Sequence, residues 1–198
     1  PAEIIETCAD QYKEKLWLEQ EFRPEVWIEK DALVGVIEGV CRDFRVPYFA
    51  CRGYTSQSEA YSHGKRLKNI IENGYTPIVF HLGDHDPSGI DMTRDNADRI
   101  SMFARQKINV ERLALHMDQI NKYKLPPNPA KETDARFREY KKKFGDSSWE
   151  LDALEPQIIT ELIRNSIYMK INELKWNECM DSEISNRFKL REIANKIK

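Results

Sequence analysis

Between residues 25 and 118, short apolar segments alternate strictly with amphipathic helical ones, and this alternation constrains the fold more than any other feature. Residues 25–30, 46–51, 77–82 and 110–117 read as strands. After Asp31, a ready N-cap, Leu33, Val36, Ile37, Val40 and Phe44 recur on one helical face. A second helix opens at Ser56 or Ser58 and stops at Asn73-Gly74. A third opens at Asp86-Pro87-Ser88-Gly89 and carries Ile90, Ala97, Ile100 and Phe103. Such a pattern predicts a parallel, Rossmann-like sheet covered by helices on both faces and joined by right-handed crossovers.

The flanks read differently. Ile4, Ile5, Cys8, Tyr12 and Leu16 predict a helix over residues 1–22, broken by Arg23-Pro24. Beyond the fourth strand comes the stiff stretch Leu125-Pro126-Pro127-Asn128-Pro129. A basic-faced helix over 133–144, a short strand within 148–154, a helix over 156–175 and a helical remainder follow. The expected organisation is a helical lead-in (1–24), an α/β core (25–118) and a mainly helical C-terminal extension packed on the core (119–198). The chain opens on Pro1 with no basic-then-apolar leader, so a piece of a longer protein is expected.

Lys plus Arg total 31 against 33 Asp plus Glu, a formal net charge of −2. That excludes a protein that grips nucleic acid by bulk positive charge. No apolar run approaches the ~20 residues that span a bilayer, so no membrane partner is expected. Cys8, Cys41, Cys51 and Cys179 form no CxxC pair and show no zinc spacing, which predicts free thiols and a cytoplasmic setting.

In open parallel sheets, ligands bind beyond the carboxyl ends of the strands. Those ends carry Glu29-Lys30-Asp31, Arg52-Gly53-Tyr54 and Gly83-Asp84-His85-Asp86-Pro87-Ser88-Gly89. Glu29, Asp84 and Asp86 would therefore share one sheet edge. Three crowded carboxylates repel, and a divalent cation resolves the repulsion. Oxygen-only ligands favour Mg2+ or Mn2+, and Mg2+ shares phosphate oxygens with a substrate, so the set predicts phosphoryl-transfer chemistry. Simpler roles exist for each residue: Asp86 as an N-cap before Pro87, Asp84 in a turn, Glu29 paired with Lys30 or Arg52.

Around this set, Lys30, Arg52, Gly53, His85, Gly89 and Asp91 are candidates for phosphate contact or for support of the carboxylates. Gly89 lets a helix start approach a phosphate closely. His81 reads as a core histidine, and His63 and His116 have no evident partner. Glu150 and Asp152 join the site only if their strand reaches the same edge. Two basic clusters suit a nucleic-acid backbone: Lys65 and Arg66 with Lys68, and Arg136, Arg138, Lys141, Lys142 and Lys143 among Phe137, Tyr140 and Phe144. The alternative for both is a solvated helix face.

Together these motifs resemble the Toprim domain of topoisomerases, primases and several nucleases, with Glu29 as its glutamate and Asp84 and Asp86 as its DxD pair. The segments Trp27-Ile28-Glu29-Lys30-Asp31-Ala32, Arg52-Gly53-Tyr54 and Gly83-Asp84-His85-Asp86-Pro87-Ser88-Gly89-Ile90 are most similar to the topoisomerase VI A subunit and the related meiotic double-strand-break transesterases. The resemblance covers residues 25–118. It implies Mg2+-assisted transesterification of a DNA phosphodiester, with the glutamate also serving as general acid or base, and a dimer that cuts two strands. In that branch the nucleophile is a tyrosine on an upstream winged-helix domain, which residues 1–24 are too short to form; Tyr54 matches loop structure rather than the nucleophile. Two other readings stay open: a metal-dependent nuclease that uses water, and a non-catalytic Toprim-shaped binding module.

Overall fold

The computed structural model describes residues 1–51 and 53–197. The chain begins with α1 (Ala2–Gln11), β1 (Phe22–Ile28), α2 (Val34–Asp43), β2 (Tyr48–Ala50) and α3 (Gln57–Glu72). It continues through β3 (Thr76–Leu82), α4 (Pro87–Ala104), β4 (Asn109–Ala114), α5 (Met117–Tyr123) and β5 (Asn128–Pro129). It closes with α6 (Phe137–Phe144), β6 (Ser147–Ser148), α7 (Pro156–Tyr168) and α8 (Glu173–Ile197).

The expected α/β architecture is present. Four strands form one parallel sheet in the order β2-β1-β3-β4. Side chains alternate across it. From β1 and β3, Trp27 and Val79 enter a core with Cys51, Leu67, Ile100, Ala104 and Ile108, roofed by the packed pair α3 and α4. The opposite parity presents Val26, Ile28, Ile78, Phe80 and Leu82, all buried. On the remaining helices, α2 and α7 pack on each other and bring Ile37, Val40, Ile159, Ile163 and Ile167, also buried. Two boundaries follow local chemistry closely. Ser56 and Glu59 make a reciprocal capping box at the start of α3, and Gly74 takes a left-handed φ of +83° just after its end.

Several expectations are corrected. The strand β1 starts at Phe22 and runs through Arg23-Pro24, which do not break the chain there. Pairing to β2 begins only at Val26, so Pro24 sits where β1 has β3 alone as a neighbour and a missing N–H is tolerated. The first helix ends at Gln11, short of the expected 22, because the backbone turns extended at Tyr12. There Arg187 Nε donates to the Tyr12 carbonyl at 2.8 Å, and Glu183 Oε2 accepts from the Glu14 N–H at 2.7 Å. The strand expected within 148–154 shrinks to Ser147–Ser148, antiparallel to Asn128–Pro129, followed by a single 3-10 turn at Leu151–Ala153. The helix expected over 133–144 spans only Phe137–Phe144, and the one over 156–175 breaks after Tyr168.

Contacts divide the chain into two compact units, and not at the expected 24/25 and 118/119 boundaries. Phe22–Lys170 is one unit, so residues 119–170 belong with the α/β core. Pro1–Glu21 joins the segment from Ile171 onward in the other, where α1 packs on α8 and Trp17 meets Trp176 edge-on. Among the described residues, no helix is long and apolar enough to cross a membrane.

Candidate active site

The neighbouring strands β1 and β3 end in register, Ile28 beside Leu82, so Glu29 and Gly83-Asp84 leave the sheet side by side. The Glu29 N–H donates to the Leu82 carbonyl at 2.9 Å, and Glu29 Oε2 accepts from the Asp84 N–H at 3.0 Å. A Cβ on Gly83 would lie 2.6 Å from that oxygen, so the Glu29 carboxylate would have to shift to make room for any other residue. Asp84 Oδ1 accepts from the Leu151 N–H at 2.7 Å. Asp86 caps α4: its Oδ1 accepts from the Gly89 N–H at 2.6 Å and from the Ser88 hydroxyl at 3.1 Å. The capping role anticipated for Asp86 is therefore present, at the same edge as the other two carboxylates.

Crowding shows in the proton affinities. Burial, then the Asp84 charge, pushes the Glu29 carboxyl up to about 7, against the Asp84 N–H that stabilises its ionised form; Asp86 adds to the rise. Burial also raises Asp84, while the Leu151 N–H and Lys30 oppose it.

Two cations serve this edge. Lys30 Nζ lies 3.5 Å from Asp84 Oδ1 and 3.2 Å from Asp152 Oδ2, and it hydrogen-bonds Glu150. Burial opposes its charge, but Glu150, Asp84 and Asp152 hold the ammonium above the usual lysine range. Glu150 and Asp152 arrive on a strap that docks on the acidic loop through paired backbone bonds, His85 N–H to the Trp149 carbonyl (2.8 Å) and Trp149 N–H to the His85 carbonyl (3.0 Å). The second cation is Arg112 of β4. Its Nη2 donates to the carbonyls of Gly83 (2.8 Å) and Asp84 (2.5 Å), and its Nη1 to the Gly89 carbonyl (2.9 Å) and Thr93 Oγ1 (2.7 Å). Burial draws its guanidinium down to about 10 against the pull of Glu29, Asp84 and Asp86.

Other candidates fall elsewhere. His85 is buried, its Nδ1 2.8 Å from the Tyr140 hydroxyl and its ring edge-on to Phe144, and burial pulls it down to about 4. It anchors α6 to the loop and offers no face to a phosphate. Asp91 belongs to a separate network, accepting from Tyr54 (2.8 Å), Arg94 (2.8 Å) and Arg136 (2.9 Å). Gly53 has a left-handed φ of +74° and shapes a turn. At Gly89 a Cβ would meet the Asp84 carbonyl at 2.3 Å, so glycine permits the helix start to close on the loop. Arg52 lies outside the described residues.

The core reading of His81 agrees with its position: it is fully buried, with Nδ1 2.8 Å from Thr93 Oγ1. His63 packs at a tilt against Trp27 and Phe49, and His116 Nε2 meets the Arg112 carbonyl. Of the basic candidates, Arg66 is taken up by a fork to buried Glu25, which also accepts from Trp27 Nε1 at 3.2 Å. Lys141 faces Asp146 at 3.7 Å and Lys142 faces Glu139 at 2.6 Å. Lys65 and Arg138 are exposed. A cleft of about 440 Å3 between α4 and α6, floored by Pro87, Ile90, Tyr140 and Phe144, lies beside the loop.

Among the described residues, no group of three His, Cys, Asp or Glu side chains forms a ready metal cage. The donor chemistry nevertheless fits a hard cation, because every candidate ligand is a carboxylate oxygen. Mg2+ needs only one or two protein carboxylates and keeps waters for the rest, so a closed cage is not required. Sequence reasoning missed Arg112 altogether; its one signal is a lone arginine inside the fourth apolar strand. Compared with protein-family profiles, with curated proteins and with solved structures, the chain finds no match in any of the three.

Proposed function

We propose that this chain carries a Toprim-type site for Mg2+- or Mn2+-dependent cleavage of a DNA phosphodiester, of the kind its motifs resemble in the topoisomerase VI A subunit. One observation carries the reading. Glu29 and Asp84, 55 residues apart, touch at the carboxyl edge of a parallel sheet with Asp86 beside them, where phosphate-handling α/β proteins bind ligands. Glu29, Asp84 and Asp86 would hold the cation, which when bound supplies Lewis-acid neutralisation of phosphate charge. Glu29, with its carboxyl near 7, is suited to hold or accept a proton at neutral pH. Lys30 offers a cation to a phosphate oxygen, and exposed Arg138 with Lys141, Lys142 and Lys65 offers salt-sensitive backbone contact. A second copy would supply the second cut.

A second reading is hydrolysis by water, for which Glu29, its carboxyl near 7, is suited to take the proton, and Tyr54 is not set up as a nucleophile in either reading. Burial and its hydrogen bond to Asp91 hold that phenol above the usual range, which is the wrong direction for a nucleophile. The two readings leave different products. Incubation of the full-length protein with Mg2+ and labelled duplex DNA, followed by a denaturing gel, yields a protein–DNA adduct for transesterification and free ends for hydrolysis. Loss of cleavage in Glu29→Gln and Asp84→Asn is expected in both. No cleavage and no Mg2+ binding by the wild type would leave only a non-catalytic module.

A further inference from the structure

Arg112 stands apart from the residues that would touch metal or DNA, yet it meets the acidic loop at more points than any of them. Besides the Leu115 carbonyl (3.4 Å), its guanidinium donates to three main-chain carbonyls of the acidic segment: Gly83 and Asp84, where the loop leaves β3, and Gly89, in the first turn of α4. Those carbonyls bracket the tripeptide Asp84-His85-Asp86. Thr93 Oγ1, one helical turn beyond Gly89, fixes the same Nη1 at 2.7 Å, and Thr93 is held in turn by buried His81. Packing forces glycine at one end of the bracket, since a Cβ on Gly89 would strike the Asp84 carbonyl, while a Cβ on Gly83 would displace the Glu29 carboxylate. The fork thus ties the two ends of a loop whose middle is held by the His85–Trp149 backbone pair and the Leu151 N–H.

We infer that Arg112 is a positioning residue for the metal-binding carboxylates, setting the separation of Asp84 and Asp86 against Glu29 by bracketing their loop with a planar, charged fork. This rests on the proposed metal-dependent reading of the same site. It requires the guanidinium's shape as well as its charge. A lysine at 112 keeps the charge but reaches a single carbonyl with a point-like ammonium, whereas arginine spans several with fixed geometry. The alternative role, a simple counter-charge beneath the carboxylates, predicts the opposite effect on metal affinity, because removing a nearby positive charge favours a bound cation.

Titration calorimetry with Mg2+ alone, on folded protein checked by circular dichroism, separates these roles. For Arg112→Lys and Thr93→Val we expect Mg2+ affinity to fall, by about tenfold or more for Arg112→Lys, the scale of losing an outer support of a metal ligand. Arg112→Met, if it folds, should also bind more weakly. Wild-type affinity in Arg112→Lys, or tighter binding in Arg112→Met, overturns the positioning role while leaving the metal reading intact. A lowered melting temperature in Arg112→Lys with unchanged Mg2+ affinity also overturns it, because the role is then structural support alone. Absence of saturable Mg2+ binding by the wild type overturns both the inference and the reading beneath it.

Discussion

Arg112 and Lys30 serve the same carboxylate edge and are held in opposite ways. Arg112 is fastened to main-chain carbonyls of the loop and of α4, which cannot leave without unfolding. Lys30 is fastened to side chains, chiefly Glu150 and Asp152, each about half exposed (51%) and free to rotate away. Both bring positive charge near Asp84, but one belongs to a rigid floor and the other to an exchangeable rim. A cation that must organise a site belongs on the floor. A cation that must yield to an incoming phosphate or metal belongs on the rim.

Substitutions separate the floor from the rim. The largest effect is expected at the floor: Gly89→Ala puts a methyl 2.3 Å from the Asp84 carbonyl and should cost about 3 kcal/mol in chemical denaturation. A loss below about 1 kcal/mol would mean that the loop yields easily and is no rigid floor. Glu29→Gln comes next. Its folded-state carboxyl lies near 7, above the ordinary value of 4.5, so the native state binds the extra proton. Stability from this group is present below about 4.5 and is lost as pH rises through 7. Removing the charge should raise the melting temperature at pH 8 by roughly 3 °C and leave it nearly unchanged at pH 4. Equal shifts at both pH values would show that the carboxylate is not crowded.

At the rim, Lys30→Met should strengthen Mg2+ binding several-fold, because the ammonium no longer competes for Asp84, with stability changed by less than about 1 kcal/mol. Weaker binding would make Lys30 part of the floor. The smallest effect is expected for the pair Glu150→Gln with Asp152→Asn: at most about 1 kcal/mol in stability, since both groups are half exposed. Affinity for a DNA oligonucleotide should rise as Lys30 is released, measured by fluorescence anisotropy at fixed salt.

The parts of this site that were legible in the sequence are those made by local chemistry. Apolar alternation marks β1 and β3, whose shared ends bring Glu29 to Asp84. Asp86-Pro87 announces an N-cap, and Ser56 or Ser58 a helix start, which the structure places at Ser56. What was illegible depends on distant packing. Arg112 is one charged residue in a strand, and nothing near it in sequence says that its side chain reaches the loop after β3. The strap at Glu150 and Asp152 was legible only as a condition, because its docking depends on the bridge between His85 and Trp149, 64 positions apart. His85 looked reactive because of its neighbours, and Tyr140 and Phe144 enclose it. Arg66 looked free for DNA until buried Glu25 claimed it.

On the proposed reading, Glu29, Asp84 and Asp86 hold one divalent cation at this edge. Calorimetric titration of the wild type, Glu29→Gln and Asp84→Asn with Mg2+ and Mn2+ tests it most directly. Saturable binding by the wild type, with affinity reduced by about tenfold or more in each variant, is the predicted result. Equal affinity in all three proteins, or no binding in the wild type, would contradict it.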